Sequence, residues 1–258
     1  MDVTADRLHG ALLEVFELLV DRLPDARLER RDGYTVGSAP SFPIHLANAV
    51  WATGPSEAEA VRELGSALDQ IEARGPDPAV LVIAGRTPEV EAEARRLGFD
   101  HLEEIPGMVA TAASFRPAGG AGPELVRVGS DERLLREAQD VTARGFETPP
   151  EPFETYFATA AGSEPFDLWL AYVGGEPVST ATGITTGEAV GIFNVATPPE
   201  HRRRGYGAWA TAHVVRRGLD AGASFAYLQS SQMGFDVYRR LGFEQVSTYR
   251  MLTRRGPD

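Results

Sequence analysis

The stretch from Gly191 to Val214 constrains the fold of this chain most, because it joins a strand pattern to a helix pattern through a basic, glycine-bearing loop. The apolar run Ile192–Ala196, which two prolines follow, predicts a buried strand. The loop Arg202–Gly207 leads into an amphipathic helix that the pattern extends to about Gly218. The first N–H groups of a helix have no partner within it and attract phosphate, glycines let the backbone approach the anion, and arginines add charged donors. The stretch therefore predicts a phosphate-binding loop.

Composition removes several classes of protein and site. The 258 residues include no cysteine, which excludes disulfides, thiolate metal sites and a cysteine nucleophile, and no lysine, which excludes a catalytic lysine. The five histidines show no ligand spacing, so no metal site is predicted. A net charge of −12 argues against a nucleic-acid partner. The sequence has no apolar run of about 18 residues and no basic-then-apolar leader, so we expect a cytoplasmic protein that does not span a membrane.

The glycine- and proline-rich segment Arg116–Pro123 has no apolar pattern and is predicted to link two domains, residues 1–118 and residues 119–258. An internal similarity points to duplication. The sequence Ala94-Arg-Arg-Leu-Gly-Phe99 resembles Tyr238-Arg-Arg-Leu-Gly-Phe243, and the neighbouring elements follow in the same order in both halves. The alternative is that each copy is merely a helix end stopped by glycine.

Periodicity and turn residues predict the elements of each half. For the first half they predict a helix over 8–23 ended by Pro24, strands over 26–37 and 42–52, a helix over 56–74 with a Ser56–Glu59 capping box, a strand over 79–84, a helix over 88–97 and a strand within 102–115. For the second half they predict a strand over 125–128, a helix over 131–144 capped by Ser130, a short helix near 153–160, strands over 166–173, 176–185, 189–197 and 224–229, a helix over 234–241 and a strand over 244–252. Hairpin strands followed by helical crossovers predict an α/β (α+β) fold, with a central mixed, mostly antiparallel sheet flanked by helices.

Two motifs carry a family resemblance. Arg202-Arg203-Arg204-Gly205-Tyr206-Gly207 follows an apolar strand, and Tyr238-Arg-Arg-Leu-Gly-Phe243 comes about thirty residues later. Together they resemble the GNAT superfamily of acetyl-CoA-dependent N-acyltransferases, over about 124–252, and the first half resembles a degenerate second GNAT-like domain, as in tandem members. The resemblance implies an N-acetyltransferase that takes acetyl-CoA as acyl donor, acts on a small-molecule amine by direct attack in a ternary complex, and could form a homodimer.

The resemblance also assigns roles to residues of this sequence. Val195 and Thr197 are expected to pair through their backbone with the pantetheine arm, and the Val195 N–H to polarise the thioester carbonyl. Tyr238 is expected to protonate the departing thiolate. The pyrophosphate is assigned to the loop, with Arg202 opening the motif and the backbone N–H groups of Arg203, Arg204, Gly205, Tyr206 and Gly207 binding the anion.

The sequence departs from the family at two places. Many members carry a glutamate as general base where this chain has Gly191. Glu147, Glu151 or Glu154, a carboxylate acting through water, or an acceptor amine that is already neutral are the alternatives. The first half has no Arg-x-x-Gly-x-Gly motif and has Ala94 in place of Tyr238, so we expect one active site.

A second hypothesis is a non-catalytic acyl-CoA-binding or regulatory module. The absence of a glutamate at Gly191 favours it, whereas Tyr238 and the intact loop count against it. A Rossmann-type nucleotide-binding domain is a distant third, because Gly-x-Gly-x-x-Gly is absent and hairpins precede the loop.

Overall fold

The computed structural model describes residues 3–23, 25–54, 56–119 and 122–255. The predicted helix stop at Pro24 and the middle of the predicted linker lie outside these residues. The α-helices are α1 (Ala5–Val20), α2 (Ala58–Glu72), α3 (Pro88–Arg96), α4 (Glu132–Phe146), α5 (Glu151–Ala160), α6 (Tyr206–Asp220) and α7 (Phe235–Arg240). The strands are β1 (Arg27–Arg31), β2 (Tyr34–Ser38), β3 (Ala49–Ala52), β4 (Ala79–Ile83), β5 (His101–Thr111), β6 (Glu124–Arg127), β7 (Phe166–Val173), β8 (Glu176–Thr186), β9 (Ala189–Ala196), β10 (Phe225–Gln229) and β11 (Glu244–Thr253).

The chain divides into two compact units, and the division falls within β5 and β11. One unit comprises residues 1–15 and 108–246, and the other comprises residues 16–107 and 247–258. The segment predicted as a linker lies within the first of these units. The assignment of a degenerate domain to residues 1–118 and of a catalytic domain to residues 119–258 stays a prediction.

In the unit that contains 108–246, the strands follow the order β10-β9-β8-β7-β6, with the end of β5 beside β10. The strands β6, β7, β8 and β9 pair antiparallel in sequence. Strand β10 then pairs parallel to β9, because helix α6 returns the chain to the same end of the sheet. Buried side chains of β9, β10 and α6 form an apolar core with Leu241 and Phe243, which follow α7.

In the other unit the order is β1-β2-β3-β4-β11, with the first part of β5 beside β11. Strands β3 and β4 are parallel and are joined by α2, whereas the last strand of the chain pairs antiparallel to β4, with Tyr249 opposite Ile83. Apolar residues of α2, α3 and the central strands close the core of this unit around Phe99.

Two predicted strands of the first half are wrong in extent, for local reasons. The stretch 26–37 is a hairpin, because Gly33 turns the chain with φ 78° between β1 and β2. Only Ala49–Ala52 of the stretch 42–52 is a strand, because the buried Asn48 amide donates to the carbonyls of Phe42 and Ile44 and holds the preceding segment in a 3-10 turn.

Two predicted helix caps are also wrong. The Ser56–Glu59 capping box does not form: α2 begins at Ala58 with Glu57 as its N-cap residue and no side-chain cap. The Glu57 carboxylate instead accepts the N–H groups of Glu89 and Val90, at the start of α3, at 2.8 and 3.1 Å. In α4 the cap is Asp131, whose carboxylate accepts the Leu134 N–H at 3.0 Å, and not its neighbour Ser130.

The predicted fold class is confirmed, since a mixed, largely antiparallel sheet is flanked by helices. Within the described residues, no helix is both long enough and apolar enough to cross a bilayer.

Candidate active site

Strand β9 separates from its parallel neighbour before it ends. The β9–β10 register runs only from Ala189 opposite Phe225 to Gly191 opposite Tyr227. On its other side, β9 stays paired with β8 as far as Ala196 opposite Thr180. The last five residues of β9 therefore leave one backbone edge available, and an extended ligand can add to such an edge as a strand does.

A β-bulge interrupts this free part of β9. Thr182 lies opposite Phe193 and Thr180 lies opposite Ala196, so β9 has one residue more than β8 over this interval. Asn194 sits in the bulge with φ 48°, a left-handed conformation that asparagine tolerates better than most residues. The bulge thus breaks the strand's alternation immediately before Val195, the predicted thioester-binding residue.

The end of β9 packs against the first turn of α6. The Ser179 hydroxyl donates to the carbonyl of Ala196 at 2.8 Å and lies 2.9 Å from the Thr197 hydroxyl. A Cβ on Gly207 would lie 3.1 Å from that Thr197 hydroxyl and 3.8 Å from Cγ1 of Val195. The structure therefore brings together three of the predicted residues, Val195, Thr197 and Gly207.

The loop before α6 has the geometry of an anion site. Arg203 and Gly205 both have positive φ, 63° and 84°, and both are exposed. The Trp209 N–H donates to the Gly205 carbonyl at 3.0 Å, which closes the first turn of the helix. The N–H groups that precede Trp209 in this turn have no acceptor within the helix and lie at the positive end of its dipole. Arg203 and Arg204, which directly precede this end, are both exposed.

The side chain of Arg202, in contrast, is committed to the protein itself. Its guanidinium donates to the carbonyl of Thr197 at 3.1 Å and to the carbonyl of Gly145 at 2.8 Å. It also forms a 2.8 Å ion pair with Glu147. Arg202 therefore holds the loop against the ends of β9 and α4 through its Nε and Nη2 groups.

Tyr238 lies on the short helix α7, and its ring packs against the same apolar cluster as Val195. Its ring is partly buried and meets Phe243 edge-on, with 6.0 Å between ring centroids. Gly234 makes room for it, since a Cβ there would lie 2.8 Å from Cε2 of Tyr238. Burial raises the pKa of Tyr238 to about 12, so the hydroxyl keeps its proton at neutral pH.

Gly191, where the resemblance implies a glutamate in many members, has no room for a side chain. A Cβ on Gly191 would lie 2.5 Å from Cε2 of Phe193 and 2.7 Å from both Cζ and Oη of Tyr227. Tyr227 is fully buried, and its hydroxyl donates to the carbonyl of Ala11, in α1, at 3.0 Å. The absent carboxylate is thus replaced by an aromatic ring that the N-terminal helix holds in place.

The three carboxylates considered as alternative bases are solvent-exposed. Glu147 follows α4 in a left-handed conformation and is paired with Arg202, whereas Glu151 and Glu154 lie in the first turn of α5. In the part of the chain that the structure describes, none of the three makes a side-chain hydrogen bond to β9 or α7. Over the same residues, no cluster of histidine and acidic side chains could hold a metal ion.

Sequence reasoning missed the residues that shape β9. Ser179, Thr180 and Tyr227 contact the strand and Asn194 lies within it, yet none of the four belongs to a recognisable motif. The one local signal is the run Ser179–Thr182 in β8, where three of four residues carry a hydroxyl.

Comparison with known proteins bears on the family and the fold. The profile of the acetyltransferase (GNAT) family matches residues 133–243. A solved GCN5-related N-acetyltransferase from Kribbella flavida is 22% identical, with a TM-score of 0.72 and 96% of each chain covered. A structure from Sphaerobacter thermophilus, also described as a GCN5-related N-acetyltransferase, is 18% identical with a TM-score of 0.63, covering 98% of this chain and 92% of its own.

A conserved protein of unknown function from Staphylococcus epidermidis is 16% identical, with a TM-score of 0.68, covering 91% of this chain and 96% of its own. No curated protein matches the chain in sequence. At these sequence identities the structural similarity shows the fold alone.

Proposed function

We propose that this chain, whose residues 133–243 match the acetyltransferase (GNAT) family, transfers an acetyl group from acetyl-CoA to the amine of a small molecule. The observation that carries the proposal is the free edge of β9 running into the N-terminus of α6. An extended pantetheine arm needs such an edge, and a pyrophosphate needs such a helix terminus. Here one continuous stretch, Val195–Gly207, supplies both.

In this proposal each residue has a separate task. The Val195 N–H stabilises the negative charge that develops on the thioester oxygen when the amine nitrogen attacks the carbonyl carbon. As the carbon–sulfur bond breaks, Tyr238 gives its proton to the sulfur. The acceptor nitrogen, which carries one excess proton after its attack, releases that proton through water and so restores the Tyr238 hydroxyl. The N–H groups of Arg203–Gly207 bind the pyrophosphate, and positioning of the two substrates supplies most of the rate enhancement.

The lack of room for a glutamate at Gly191 affects how the acceptor amine loses its proton. Because Tyr227 occupies the place of a glutamate, we infer that the amine binds already neutral, or loses its proton through water to an exposed carboxylate. For a neutral amine, kcat/KM should rise with pH in step with deprotonation of the acceptor.

The test combines binding with turnover. Acetyl-CoA binding is measured by calorimetry, and thiol release is followed over a panel of primary amines of different size and charge. We expect binding to wild type, a weaker complex in an R203A/R204A variant, and turnover with at least one amine that Y238F slows without weakening the binding of acetyl-CoA.

The same measurements test the second candidate, a non-catalytic acyl-CoA-binding module, which the filled position at Gly191 favours. Tight binding of acetyl-CoA without turnover of any amine in the panel would establish that module and exclude the transferase. Absence of binding would exclude both.

A further inference from the structure

We propose that Thr180, supported by Thr142, is a positioning residue that aims the Val195 N–H at the thioester oxygen. The inference rests on the proposed function and adds to it a device that fixes the oxyanion-binding group. It starts from the bulge at Asn194, a non-glycine residue held at φ 48°. Asparagine adopts this conformation more readily than most residues but still less readily than an extended one, so neighbouring contacts must select it.

Thr180 makes the selecting contact. Its hydroxyl donates to the carbonyl of Asn194 at 2.7 Å, and its side chain is fully buried. The Thr142 hydroxyl, on α4 and also fully buried, lies 3.3 Å from the Thr180 hydroxyl. Because Thr180 has one hydroxyl proton and gives it to Asn194, Thr142 must be the donor of the second bond. The hydroxyls form a relay from α4 to the Asn194 carbonyl.

Because the peptide bond is planar, this contact also fixes the direction of the Val195 N–H. The Asn194 carbonyl and the Val195 N–H belong to one trans peptide unit and point in opposite senses. With the carbonyl held by Thr180, the Val195 N–H must point away from Thr180. Ser179 holds the carbonyl of Ala196 at 2.8 Å in the same manner and so fixes the next peptide unit but one.

A second side chain steadies the bulge from the helical layer. The hydroxyl of Tyr156, on α5, interacts with the side chains of Thr182 and Asn194. Tyr156 is 4% exposed, so its hydroxyl lies beside the bulge with little access to water. The Thr180 hydroxyl makes the contact that sets the peptide plane containing the Val195 N–H.

The test replaces the hydroxyl and keeps the shape. T180V removes the donor with little change in volume, T180S keeps it, and T211V serves as the matched control. Thr211 is likewise fully buried, and its hydroxyl makes no hydrogen bond within the described residues. We expect T180V to lower kcat by 10- to 100-fold, below the loss seen when an oxyanion donor is deleted outright, and to change the dissociation constant of acetyl-CoA less than about threefold.

A spectroscopic measurement distinguishes a change in the direction of the Val195 N–H from a general loss of protein stability. The carbonyl stretch of [1-13C]acetyl-CoA should fall in frequency on binding to wild type, T180S and T211V, and should stay near its free value on T180V. A wild-type kcat and carbonyl frequency in T180V overturn the proposal. If T180V does not fold, T142V replaces it and should show a smaller change in the same direction; an unchanged frequency there also overturns it.

The outcomes distinguish this inference from the function on which it rests. If wild type neither binds acetyl-CoA nor releases thiol, the proposed function fails, and the positioning role fails with it. If wild type is active and T180V equals it, the positioning role alone fails. If wild type binds acetyl-CoA without turnover, the carbonyl frequency still decides whether Thr180 aims the Val195 N–H.

Discussion

Substitutions of Gly191 test whether this position could accommodate the glutamate that the family resemblance implies as general base. A Cβ at this position would approach Cε2 of Phe193 to 2.5 Å and the Cζ and Oη atoms of Tyr227 to 2.7 Å. Ordinary contacts begin near 3.5 Å, so the rings would have to move by roughly 1 Å. Tyr227 is fully buried, and its hydroxyl is bonded to Ala11.

The size of the effect follows from these contacts. For G191A, overpacking costs about 1–3 kcal/mol of the free energy of unfolding, and loss of the Tyr227 hydrogen bond would add about 1 kcal/mol. G191E should be worse, because a carboxylate buried against two aromatic rings without a partner adds a further penalty of several kcal/mol. We therefore expect G191E to lose stability and to gain no turnover.

Denaturant unfolding followed by circular dichroism measures the stability, and thiol release measures the activity. G10A is the matched control, since Gly10 lies in α1 with no atom within 4 Å of its would-be Cβ. It should be neutral or stabilised by up to about 1 kcal/mol. In a Y227L background the cost of G191A should shrink, because the obstructing ring is gone. Wild-type stability of G191A, or a higher kcat in G191E, would refute the reasoning.

Three further predictions concern single side chains. At high salt, R202K should raise the KM for acetyl-CoA more than R203A does. Arg202 makes a directed hydrogen bond to the Gly145 carbonyl, whereas the exposed Arg203 acts through its charge, which salt screens. Equal salt dependence of the two KM changes would contradict this. Y238F should lower kcat about 10- to 100-fold, and wild type should show no loss of activity from Tyr238 ionisation below about pH 11, since its pKa is raised to about 12; a pH-rate profile measures both.

Burial also raises the pKa of Tyr156 to about 12, so its ionisation in the unfolded chain should destabilise the fold as pH rises from about 10 to 12, by about 2–3 kcal/mol; Y156F should lose less stability over that range in denaturant titrations.

The strand–loop–helix arrangement was predictable because its signals are local. An apolar run, two prolines and a glycine pair lie within two dozen residues, and β9 and α6 form close to where the pattern indicates. The antiparallel hairpins before β9 were predictable for the same reason, since glycines mark their turns. These elements carry the candidate site, whose residues stay a prediction.

The chemistry within the site was less accessible, because it depends on how distant segments pair. The bulge at Asn194 arises because β9 has one residue more than β8 between two paired positions. A local sequence pattern does not reveal how two strands pair, so the bulge could not be predicted. Arg202 matched a motif position, yet the position does not reveal that Gly145 and Thr197 take its donors. Gly191 was interpreted as a gap, whereas the Tyr227 ring from a later strand fills it.

Strand pairs β3–β4 and β9–β10, which are both parallel, explain why we infer a single cofactor site. Strand β3 pairs with β4 over its whole length, from Ala49 to Ala52, so it leaves no free edge for a ligand. Strand β9 pairs with β10 over only its first three residues and continues for five more. In the first pair's unit, moreover, the Glu57 carboxylate already occupies the start of α3. The same strand–helix–strand topology thus gives a closed sheet in one unit and an open one in the other, and only the open one ends at a basic, glycine-bearing helix terminus.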